Sequence, residues 1–269
     1  MDDSGDRLRL RFAGAHPIYQ TELDQAAFNH GYRKSNGVAD GWFWFRSDEG
    51  VPGEVALSSG TRPDGSPWFL AVEHAGVAAR LREELIQASV EPPPAHFRGA
   101  FAFETQAEMR VALSRAFQLA RSLPTFPLSQ YEAELANLGD TEVERIVKER
   151  VGQSYFRRAL MDYWNGRCPV TGISDDALLR ASHIVPWAEC RSDDERLDVF
   201  NGLLLAAHWD AAFDRGLVSF DDDGRALVQP VLSDAARALL APERTMPVPL
   251  DPAHRRQLAW HRAHFGFEV

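Results

Sequence analysis

From residue 178 onward the order of elements leaves the chain few ways to fold. LLRASHI (178–184) alternates like a strand and carries His183 near its end. Pro186 then stops it, because proline lacks a backbone donor and locks φ. VPWAECRSDDERLDVF is an irregular, acidic excursion, and its run SDDERLD reads as a solvated loop. NGLLL (201–205) reads as a second strand opened by Asn201, and AAHWDAAFDRG (206–216) as a helix ended by Gly216. LVSFDDDGRALV follows as a hairpin through Asp223 and Gly224. The sequence therefore runs strand, loop, strand, helix, with a histidine on the first strand and polar groups on the helix. A strand-end histidine has three readings: a packing residue, a metal ligand, or a general base facing a cleft.

The segments CPVTG, LLRASHIVPW, ERLDVFNGLLL and HWDAAFDRGLVSFDDDG resemble, in order and spacing, the HNH endonuclease family and its restriction-type branch. The likeness covers roughly residues 150–225. It implies a ββα-metal fold with His183 as general base. Asn201 would fix the loop between the strands or orient His183, and a divalent ion, Mg²⁺ or Mn²⁺, would sit between the first strand and the helix. Phosphodiester hydrolysis needs these parts: a base for the attacking water, a cation on the phosphate, and rigid positioning. Two positions depart from the family pattern. Ser182 stands where an acidic or histidine ligand is usual, and a hydroxyl is a poor ligand. Asp210 stands where the last histidine of the pattern falls, with His208 two residues earlier. Residues two apart on a helix point about 200° from each other, so both cannot face one ion. Spacing favours Asp210 as metal ligand, since a carboxylate suits Mg²⁺ or Mn²⁺, with His208 the second candidate and Asp214 sharing the face of Asp210. The implied function is a metal-dependent DNA endonuclease. The alternatives are a DNA-binding protein that keeps the fold without efficient catalysis, and a toxin-like nuclease.

The N-terminal half reads as an α+β domain with antiparallel strands over residues 1–123. A linker and connecting helix follow over 124–149, and the nuclease domain over 150–269. RLRLRF (7–12) predicts a strand, and DQAAFNHGY (24–32) a short helix capped by Asp24. GWFWFRS, GEVALSS and PWFLAVEH predict three strands separated by turns. Residues 75–85 and 105–123 predict helices, EPPPAH (91–96) a break, and FRGAFAF (97–103) another strand. PTFPLSQ (124–130), with two prolines, reads as the linker, and 140–166 as a helix interrupted near Gly152. Aromatic residues crowd this half, among them Tyr32, Trp42, Trp44, Trp68 and Phe69. They predict a sheet packed on both faces, or a pocket that stacks a flipped base on Trp42 and Trp44. Arg33 and Lys34 of GYRKSNG would then contact phosphate.

Charge bears on the partner. The chain carries a net −10, with 13 Lys+Arg against 16 Asp+Glu in residues 1–127 and 16 against 23 in residues 128–269. Neither half is basic overall, so nonspecific electrostatic affinity for DNA is expected to be modest unless arginines cluster on one face. A phosphate-cutting site is not excluded, because carboxylates are what hold its cation. The two cysteines, Cys168 and Cys190, form no C-x-x-C pair, which excludes a disulfide scaffold or a four-cysteine zinc site. They are expected as buried thiols of a cytoplasmic protein. No apolar run reaches the roughly 18 residues of a membrane span, and MDDSGDRLRL lacks the apolar core of a secretory leader. Cutting two strands with one site per chain predicts a homodimer.

Overall fold

The computed structural model describes residues 17–60, 62–85, 96–136, 139 and 141–267. The chain divides after Arg121 into two compact units. The fold is mixed α and β, with an antiparallel N-terminal sheet.

In the first unit α1 (Pro17–Asn29) precedes β1 (Lys34–Ala39), β2 (Trp42–Arg46), β3 (Val55–Ser59) and β4 (Trp68–Val72). Then come α2 (Ala75–Glu84), β5 (Gly99–Phe103) and α3 (Gln106–Ser122). The five strands form a meander in sequence order. β3 and β4 are buried at every position, so their sequences run apolar without alternation, as strands covered on both faces do. On one face Trp42 and Phe69 pack with Ala56, Ala71, Phe97 and Ala100, large rings over small side chains. α1 contributes buried Leu23, Ala26 and Ala27 and lies against β2 and β3. It begins at Pro17, where a missing N–H costs nothing, so Asp24 sits inside the helix and does not cap it. β1 is a strand that the pattern did not announce. KSNGVA has no apolar alternation, and its register against β2 shifts between Ser35 and Gly37. RLRLRF lies outside the described residues, as does all of EPPPAH except His96.

The second unit starts with α4 (Thr125–Leu135) and α5 (Glu142–Tyr163). PTFPLSQ is the start of a helix: Pro124 occupies the cap and Pro127 the first turn, where backbone N–H groups have no intrahelical partner. A reciprocal capping box between Thr141 and Glu144 opens α5. This helix runs unbroken through Gly152. A Cβ there would lie 2.3 Å from the Trp187 ring, so the glycine admits a close neighbour and does not break the helix.

β6 (Leu179–His183) pairs antiparallel with β7 (Gly202–Ala206), placing His183 opposite Gly202. The excursion between them is partly ordered as α6 (Asp193–Leu197), capped by Ser192. α7 (Ala207–Phe213) follows β7 at once, giving a ββα unit. β8 (Val218–Phe220) and β9 (Ala226–Val228) form the hairpin, and α8 (Asp234–Leu240) and α9 (Pro252–Phe265) complete the chain. Among the described residues no helix is long and apolar enough to cross a membrane. Both cysteines are free and buried.

Candidate active site

His183 is held from several sides. Its ring stacks on Phe156 of α5 at 3.7 Å between centroids and 13° between planes, and the edge of Trp187 meets it at 5.7 Å. Nε2 lies 2.9 Å from the Arg196 carbonyl oxygen. A carbonyl can only accept, so Nε2 carries the hydrogen and donates it, and the lone pair of the neutral ring belongs to Nδ1. Among the described residues Nδ1 has no protein hydrogen-bond partner. Burial pushes the His183 pKa down to about 4, outweighing the carbonyl bond that pulls the other way. The imidazole is therefore neutral at physiological pH.

Asn201 is fully buried and, among the described residues, makes no hydrogen bond to the His183 side chain. Its Oδ1 accepts from Val185 N at 2.8 Å, and Nδ2 reaches the carbonyls of Val185 and Glu195, both at 3.2 Å, and Cys190 Sγ at 3.3 Å. One amide thus joins both ends of the excursion, the loop-fixing half of the role expected for it. The tight turn before it is held by Asp198, which accepts from Phe200 N at 2.8 Å and whose pKa burial raises to about 6.

Arg196 was missed in the sequence, where it belongs to an acidic run read as solvated. Its guanidinium donates to the carbonyls of Trp187 at 3.2 Å and Cys190 at 3.1 Å and to Asp193 at 2.8 Å. It also lies 5.5 Å over the Trp187 ring. The same residue's carbonyl fixes the His183 tautomer. A lone arginine among carboxylates was the only available sign.

Asp210 on α7 and Asp214, the C-cap residue one turn on, face the same way. Ser182 Oγ donates to Asp214 Oδ1 at 3.4 Å, so the serine orients a carboxylate across the strand–helix contact. Asp210 is half-buried, and burial followed by the Asp214 charge raises its pKa. Asp214 lies at the rim and is raised by partial burial. These groups and His183 face one cavity of about 520 Å³, whose walls include Arg180, Arg215 and His261. His208 does not line it, as the 200° separation along the helix requires. His261, on α9, went unnoticed in the sequence. It donates from Nε2 to the Phe213 carbonyl at 3.1 Å, pairs through Nδ1 with Ser219 Oγ at 3.0 Å, and stacks on Phe213 at 4.0 Å.

Residues 168–221 match the HNH endonuclease family model. The HNH segment takes in β6, β7, α7 and β8 and every cavity-facing polar residue named above except His261. A comparison with curated proteins finds no match. HNH nucleases generally use a divalent metal, and the donors present can be tested against one. No group of three or more His, Cys, Asp or Glu among the described residues could form a metal cage. Two neighbouring carboxylates lining one cavity do suit a hard cation that keeps most of its water and takes further oxygens from a phosphate.

The residues expected to read DNA lie in the first unit. Trp42 is 2% exposed, inside the core cluster, and offers no face to a base. Trp44 is half-buried, and Lys34 opens β1 in full exposure. Arg33 is occupied by Asp48 at 3.4 Å and Glu49 at 3.2 Å.

Proposed function

We propose that this protein is a metal-dependent DNA endonuclease of restriction type, with the nuclease domain over residues 150–269 and recognition by residues 1–123. The observation that carries this reading is the His183 geometry. Nε2–H is fixed on the Arg196 carbonyl, which leaves Nδ1 as the basic atom of a histidine that lines the same cavity as Asp210 and Asp214. Nδ1 takes the proton from the water that attacks phosphorus. Phe156 and Trp187 hold the ring plane, and Asn201 fixes the loop that presents the Arg196 carbonyl. Asp210, with Asp214 beside it and Ser182 orienting the latter, would hold Mg²⁺ or Mn²⁺. When bound, that cation supplies Lewis-acid stabilisation of the phosphate and leaving oxygen. The free, buried cysteines accord with a reducing cytoplasm, and a site built from one His183 per chain with a homodimer that cuts both strands.

The test is nicking of supercoiled plasmid with Mg²⁺ or Mn²⁺. His183→Ala is expected to lose roughly 10²- to 10⁴-fold in rate, the usual worth of a positioned base. Equal nicking by both proteins overturns the assignment. A second reading, a DNA-binding protein with little catalysis, draws on the same ring: a pKa of about 4 makes a weak base. Salt-sensitive DNA binding without cleavage in either metal would favour it.

A further inference from the structure

The outer edge of the first unit carries a charge arrangement that the fold does not explain. β1 is exposed from Lys34 to Val38, and its register sets Lys34 directly opposite Arg46 of β2. Like charges facing each other across a strand pair are unfavourable, and a nearby carboxylate ordinarily relieves them. Here the neighbouring carboxylates are taken. Asp48 and Glu49 pair with Arg33, while Glu54 accepts from Asn36 Nδ2 and lies 3.6 Å from His96 Nε2. Lys34 and Arg46 make no side-chain hydrogen bond or ion pair among the described residues. In a chain of net charge −10, two adjacent uncompensated cations stand out from their background.

The same face holds Trp44, two residues before Arg46. Opposite Trp44 stands Gly37, where an added Cβ would meet nothing within 4 Å, so no β1 side chain covers the half-buried indole at that pair. Its other side is backed by the rings of His96 at 5.2 Å and Phe97 at 5.7 Å, which keep it from turning.

We propose that this β1–β2 edge is a nucleic-acid contact surface: Lys34 and Arg46 take consecutive backbone phosphates, and the exposed part of Trp44 packs on the sugar between them. The surface rests on the nuclease reading for its partner and deepens it by naming where the first unit touches the substrate. Arg46 replaces the occupied Arg33, and Trp44 alone replaces the pair with buried Trp42. Phosphate contacts carry no sequence information by themselves, so this edge positions the duplex without selecting its sequence.

The experiment is fluorescence anisotropy of a labelled DNA duplex against the full chain carrying His183→Ala to suppress cutting, titrated from about 50 to 200 mM salt. Each phosphate contact contributes about 0.9 to the slope of log K against log salt. Lys34→Gln with Arg46→Gln is expected to flatten that slope by about 1.8 and to weaken binding about tenfold or more. Lys34→Arg with Arg46→Lys should restore it, which separates charge from folding damage. An unchanged slope in the Gln variant overturns the surface. The two readings fail separately. If protein with native His183 nicks plasmid while the Gln variant binds as before, the surface falls and the nuclease stands. If nothing nicks but the Gln variant loses its slope, the nuclease falls and the surface stands.

Discussion

The strand pairs β6–β7 and β1–β2 hold their polar groups in opposite ways. Around β6–β7 the polar groups of the loop are held in place: Asn201 makes four side-chain contacts, Arg196 four, and His183 one hydrogen bond and two ring contacts, with its Nδ1 left unbonded among the described residues. In β1–β2 the cations are exposed and unanswered. Chemistry on a phosphate needs groups fixed before the substrate arrives, whereas holding a polyanion needs groups left free to meet it. If that contrast is right, substitutions in the first pair are costly to the free protein and those in the second are nearly free.

The largest expected cost is at Asn201. Replacing it with alanine strands the Val185 N–H and unpins the Glu195 carbonyl inside the protein. One unsatisfied buried group costs about 1–3 kcal/mol, so Asn201→Ala should lose about 3 kcal/mol, read as a lower urea midpoint. It should also slow nicking, since the Arg196 carbonyl is set by the same loop. A midpoint shift under 0.5 kcal/mol would mean the amide holds nothing.

Gly152 comes next. In an exposed helix Gly→Ala gains about 1 kcal/mol, but here the new methyl meets Trp187 at 2.3 Å. Overpacking costs about 1–3 kcal/mol, so a net loss of up to about 2 is expected, together with reduced nicking as Trp187 moves off the His183 edge. A more stable Gly152→Ala protein would show that Trp187 has room to yield.

What could be read in the sequence follows the same division. β6, β7 and α7 were legible because burial forces apolar runs between fixed polar positions, and helix geometry alone separated Asp210 from His208. β1 was not, because an exposed edge leaves no periodicity in KSNGVA. The prolines of PTFPLSQ misled because a first helical turn tolerates them as well as a linker does. Arg196 and His261 act through backbone carbonyls of residues distant in sequence or fold, and no spacing rule reports such contacts.

Acidification probes the enclosed pair at the level of one proton. The folded pKa of His183, about 4, lies below the ordinary value near 6.5. As pH falls below 6.5 the unfolded chain takes up the proton first. The stability tied to neutral His183 is thus complete above pH 6.5 and is eroded down to about 4. Between pH 7 and 5 the wild type should lose roughly 2 kcal/mol more than His183→Asn, measured by urea unfolding of both at each pH. By the same sign, nicking should not fall off near pH 6.5, since the ring stays deprotonated there. A loss centred at 6.5 would place His183 in a wetter setting than Phe156 and Trp187 provide.

The smallest effect belongs to the exposed pair, and its sign matters more than its size. Lys34→Gln removes half of a like-charge pair that makes no compensating contact among the described residues. Stability should rise by a few tenths of a kcal/mol at about 20 mM salt, and the gain should vanish near 500 mM, where screening shortens the reach of exposed charges to a few ångströms. Paired thermal melts at the two salt concentrations measure it. A loss of stability at low salt would reveal a carboxylate partner for Lys34, and the edge would then resemble the enclosed pair, with its charges already answered inside the protein.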